Sequence, residues 1–221
     1  MKNILLLLFL FSTEIFSQKL SEKDIFKKVQ DNIDKVEDFS ANLIVTVDME
    51  RIKVPKMDVG LYFKKPDKYS IKSKNFAMIP KEALGFNILS ILKDYQIKSL
   101  EKIKTDSGSF YNMLYERNTY IETRPLNIKL LINAETFTID EVYSQQANLK
   151  RSATVSFKYQ IFENNLYLPV ETTAKFDFET GEEEKPKQGV IRNPRKGIVQ
   201  IKYQNYQINK GLNDSLFVEK K

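Results

Sequence analysis

The sequence predicts an α+β domain made mainly of antiparallel strands, one long sheet led by a single helix. Three observations carry this. Residues 39–49, FSANLIVTVDM, alternate strictly, with Phe39, Ala41, Leu43, Val45, Val47 and Met49 on one side and a mostly polar set on the other. Runs of this kind recur on the order of ten times, separated by turn-forming residues. One extended stretch, residues 21–38, has helical spacing instead, with Ile25, Val29, Ile33 and Val36 on one face.

The helix begins at Ser21, which pairs with Asp24 three residues on as a capping box. After residues 39–49 come 57–64, with Met57, Val59, Leu61 and Phe63 on one side, a Lys65-Pro66-Asp67-Lys68 turn, and 68–73, with Tyr69 and Ile71 on the same side. This is an antiparallel meander with one wet and one apolar face. Residues 76–93, FAMIPKEALGFNILSILK, break the alternation and read as a short helical segment too apolar to lie bare on the surface. Strands resume near 95–104, 109–117, 119–124, 126–132, 136–144, 152–162, 166–179 and 197–208. TDSGS and ENN supply turns, and Pro125 and Pro169 mark strand starts or edges. Residues 180–196 are polar and rich in turn formers, so a long loop is expected there; its three glutamates read as a solvated run or a cation site. A sheet of this many strands must curl or split into two layers.

The first 17 residues stand apart. Lys2 precedes the apolar run ILLLLFLF at residues 4–11, and Ser17 is small enough to precede a peptidase cut. A signal peptide cleaved near Ser17–Gln18 is expected, leaving residues 18–221 as one domain outside the cytoplasm. The run is too short to span a bilayer, which takes about 20 residues.

The chain has neither Cys nor His. That removes disulfides, Cys/His metal sites, lipid attachment at a cysteine, and His-dependent acid–base and triad chemistry. Carboxylate pairs and Ser–Lys or Tyr–Lys arrangements are chemically available, but no spacing selects one, so the chain is not expected to be an enzyme and no cofactor is implied. The net charge is +6. Lysines on outward strand positions serve solvation, and they permit weak attraction to anionic headgroups or an acidic partner. With no basic cluster beyond RNPRK, nucleic acid is not an expected partner. The 15 Phe and 11 Tyr fall mostly on apolar strand positions, where they form either an ordinary core or the wall of a ligand cavity.

Residues 60–71, GLYFKKPDKYSI, resemble a segment of the periplasmic lipoprotein carriers of the LolA type: a strand, a basic residue, Pro, a polar residue, then an aromatic. The order of elements is similar too, from leader and amphipathic helix through FSANLIVTV and this hairpin to the apolar interruption. INAETFTIDEVYSQQ, FENNLYLPVETTAKFDF and NKGLNDSLFVEKK are similar to later parts of the family pattern. The resemblance implies a half-open, incomplete barrel with a helical lid over an apolar cavity that takes up acyl chains. It implies a monomeric periplasmic carrier of an acylated lipoprotein or lipid, between an inner-membrane donor and an outer-membrane acceptor. The alternative on the same scaffold is an envelope sensor that recognises a protein or lipid signal. The cavity would be lined by Leu43, Val45, Val47, Leu61, Phe63, Tyr69 and Ile71, with Phe86, Ile88, Leu89 and Leu92 in the lid. Lys65 stands where the family has an Arg that latches the lid. An ammonium cannot fork to several carbonyls as a guanidinium does, so the latch is expected to be weaker here or absent.

Overall fold

The computed structural model describes residues 20–50, 52–73, 91–117, 126–146, 151–178 and 196–218. One α-helix, α1 (Glu22–Ile33), precedes the strands β1 (Asp38–Met49), β2 (Ile52–Lys53), β3 (Met57–Lys64), β4 (Lys68–Ser73), β5 (Gln96–Thr105), β6 (Gly108–Glu116), β7 (Asn127–Asn133), β8 (Ile139–Gln146), β9 (Arg151–Phe162), β10 (Leu166–Phe178) and β11 (Lys196–Ile208). All pair antiparallel in one curved sheet of order β4-β3-β1-β11-β10-β9-β8-β7-β6-β5, with β2 beside β1. Among the described residues β4 and β5 do not pair, so the sheet is not closed.

α1 starts where the sequence puts it: the Ser21 side chain accepts from the Asp24 N–H, and the Asp24 carboxylate accepts from the Ser21 N–H. It ends at Ile33, five residues before the end its spacing suggested. Val36 then belongs to a turn closed by its own N–H on the Ile33 carbonyl, and it drops into the core beside β1. The hairpins follow the turn chemistry. Asn164 and Asn165 both adopt left-handed φ in the β9–β10 turn, and Gly108 does so after β5. Pro169 sits near the start of β10, in the stretch 166–170 that pairs with β9 alone, because the β11 ladder begins only at Glu171, so it is locally an edge position as expected. The register slips there between Pro169 and Glu171, and a bulge spares the ladder the missing N–H. Further slips in the β1–β11, β5–β6 and β7–β8 pairs add bends. The segments expected at 119–124 and 180–195, and the leader, lie outside the described residues.

The apolar face divides into two clusters. One gathers β1, β3, β10 and β11 around Phe39, Leu43, Leu61 and Ile201. The other gathers β6, β7, β8 and β9 around Met113, Leu130 and Ile132, with Ile25 and Val29 of α1 pressed onto it. Burying those two helix side chains contributes about 1.5–3 kcal/mol each.

The chain after β11 is fastened back onto the start of β1. The buried Asp38 carboxylate accepts from the Lys210, Gly211 and Leu212 N–H groups at 3.0, 2.9 and 3.1 Å. Asn209, at φ 54°, accepts from the Glu37 and Asp38 N–H groups and donates to the Lys35 carbonyl. Asp38→Ala strands three donors beside a buried position and is expected to cost roughly 3 kcal/mol, read as a lower urea midpoint with an unchanged slope.

Candidate functional site

Leu43, Val45, Leu61 and Phe63 are buried in the first cluster, and Val47, Tyr69 and Ile71 pack half-buried against it, so the seven residues share one apolar surface. Pairing explains this. Leu61 faces Ala41 and Ile71 across its two neighbours, Phe63 faces Phe39 and Tyr69, and Val47 faces Val199. The rings continue in a row, with Tyr69 to Phe63 at 5.0 Å and Phe63 to Phe39 at 5.4 Å. Burial, and then the Asp67 charge, raise the Tyr69 pKa, so its hydroxyl stays neutral. Of the lid residues, Phe86, Ile88 and Leu89 lie outside the described residues, and Leu92 is buried in the second cluster at a single 3-10 turn, Leu92–Asp94.

A cavity of about 50 Å³ lies under the C-terminal half of α1. Val29, Ile33 and Val36 roof it; Phe63, Ile139, Tyr159, Leu168 and Pro169 are among its walls. Of the seven predicted lining residues only Phe63 borders it. The far wall, from β8, β9 and β10, escaped sequence reasoning, because alternation marks an inward face without saying which inward faces meet. The cavity takes a few water-sized groups; a chain of a dozen carbons fits only if α1 leaves its seat.

One margin is polar. Asn32 Nδ2 donates to the Thr136 carbonyl at 2.6 Å, and Tyr159 donates to the Ile139 carbonyl at 3.0 Å. Burial drives the Tyr159 pKa well above its ordinary range. Thr138 donates to Asp140 at 2.7 Å, yet burial outweighs this and raises the Asp140 pKa.

Lys65 reaches the end of α1. Its Nζ donates to the carbonyl of Asp34, the helix C-cap, and to Glu37 Oε1 at 2.9 Å. A cation there also meets the negative end of the helix dipole. Across the same hairpin, Lys64 donates to the Leu212 carbonyl and to Asp214, and Lys68 also pairs with Asp214.

No family model matches this sequence, and no curated protein does. Solved structures match well in shape. A DUF1329 family protein from Desulfovibrio piger superposes with a TM-score of 0.61 at 12% identity, covering 89% of this chain and 96% of that one. A LolA superfamily protein from Nitrosomonas europaea gives 0.57 at 11%, covering 91% and 99%. The fold is LolA-like. A domain from Vibrio parahaemolyticus named for outer membrane lipoprotein sorting gives 0.60 at 9%, covering 87% and 95%. Within this LolA-like chain, no group of three or more acidic residues among the described residues is placed to hold a metal ion. Nor is any helix among them long and apolar enough to cross a membrane.

A raised carboxyl pKa favours the protonated form in the folded state, so the Asp140 contribution is present at low pH and fades as pH rises through its folded value. Asp140→Asn is therefore expected to raise the urea midpoint at pH 7 and leave it unchanged near pH 3.

Proposed function

We propose that this protein is a non-enzymatic periplasmic carrier that binds the acyl chains of a lipoprotein or lipid and moves them towards the outer membrane. One observation supports it above the others: an unclosed sheet has its apolar face covered by a helix that seats only two buried side chains, over a remaining void. Such a cover can be exchanged. Seating α1 contributes the burial of Ile25 and Val29 and part of Leu20, Phe26 and Ile33, whereas an acyl chain contributes about 0.8 kcal/mol per methylene, on the order of 10 kcal/mol gross for twelve carbons. Opening and ordering costs subtract from that, which keeps uptake reversible. The Leu43–Ile71 surface extends the binding face beyond the void, and the apolar run at residues 86–92 serves as a second removable cover. Transfer then runs from a donor to an acceptor of higher affinity, with no nucleotide.

Lys65 sets the cost of opening. Its bonds to Asp34 and Glu37 exist only while α1 is seated. Apparent affinity scales with the population of the open form. Lys65→Met is thus expected to tighten binding of a fluorescent acyl probe on the order of fivefold and to slow release, with the circular dichroism unchanged.

The decisive experiment is native mass spectrometry of the protein purified from its own envelope. An acylated species should accompany it and pass to acceptor vesicles. A protein free of any acyl ligand, and unable to take up the probe, would end the carrier reading.

A further inference from the structure

Arg117 directly follows β6, and its side chain is 3% exposed. One nitrogen, Nη2, lies 3.3 Å from Asp94 Oδ2, and the guanidinium stacks 4.7 Å from the centre of the Tyr95 ring. Nε and Nη1 are buried and make no hydrogen bond among the described residues. A cation hidden from water with donors unused is unfavourable for the fold by itself. A structural ion pair would bury both partners and use the guanidinium fork; here the contact is single and long, and Asp94 is 63% exposed. Stacking on Tyr95 fixes the guanidinium plane and leaves its edge donors for another group.

The location says which group. Tyr111, Met113 and Tyr115 occupy alternate positions on the helix-facing side of β6, and Arg117 is the next in that row. Tyr115 donates to Glu22 at 2.9 Å and stacks on Phe26, so this row meets the first turns of α1. The void lies at the other end, under Val29 to Val36. The 12 residues of the helix span about 18 Å between them.

We infer that Arg117 receives the anionic head, a carboxylate or phosphate, of an amphiphile whose tail lies along the sheet face that α1 covers. This rests on the carrier reading and narrows it. The cargo is an acyl chain with a negatively charged end, and it binds in one direction, head at Tyr95–Arg117 and tail towards Leu168.

The test compares hexadecanoic acid, its methyl ester and a lysophosphatidic acid as competitors of a fluorescent acyl probe, with inorganic phosphate and acetate as tail-free controls. The wild-type protein should bind both acids at least about tenfold tighter than the ester. Arg117→Met should erase that preference by weakening the acids to the level of the ester, and should raise the ligand-free Tm by about 2–4 °C, since an under-used buried charge is replaced by an apolar chain. Equal binding of acids and ester by the wild type, which needs no variant, overturns the head-group assignment and leaves the carrier intact. A fall in Tm with the preference retained makes Arg117 structural and overturns it too. Tight binding of phosphate or acetate alone marks a free-anion site and overturns the cargo assignment. No binding of any tailed compound removes both readings.

Discussion

An open sheet with an oily inner face has to be covered, and the seating of α1 on that face is the contact on which the other features depend. A closed barrel would fill itself with its own side chains, and a two-layered sandwich would supply a second sheet. This molecule does neither among its described residues. It sets a 12-residue helix over one half of the face, and Ile25 and Val29 are the helix side chains fully withdrawn from water. The helix is too narrow to match the whole curved surface, so a void persists beside Phe63 and Leu168.

The polar bonds around the helix follow from this. Its C-terminal end is held by Lys65 on the Asp34 carbonyl and by Asn32 on the Thr136 carbonyl. Just beyond, the start of β1 is tied down by Asn209 and Asp38, so the joint between helix and sheet is anchored from three parts of the chain. The N-terminal end meets the sheet through the Tyr115–Glu22 bond and the stacking of Phe26 on Tyr115. The helix thus carries its polar restraint chiefly at the C-terminal end and is held mainly by apolar contact elsewhere. Apolar contact is the kind an acyl chain can replace without leaving polar groups stranded.

The two inner clusters also divide the chemistry. The β1–β3–β11 side is aromatic and aliphatic, with neutral tyrosines: Tyr203 shares a hydrogen bond with Thr172, and burial raises its pKa to about 12. The β6–β9 side carries Asp140 at one margin and Arg117 at another. Groups held against their solvation preference on an otherwise oily surface sit where a ligand with a polar end would meet the protein.

Alternation of period two told, from sequence alone, which residues of β1, β3 and β4 turn inward, because a strand offers only two sides and water claims one. The capping box fixed the start of α1, and Asn-rich and Gly-containing turns fixed two hairpins. The absence of Cys and His settled which chemistries the chain lacks. Tertiary structure alone decided where α1 ends and which inward faces meet. Val36 left the helix because the core beside β1 accepted it. The void, the reach of Lys65 to a helix end and the stranded donors of Arg117 depend on residues far apart in the chain, and local patterning holds no record of such distances.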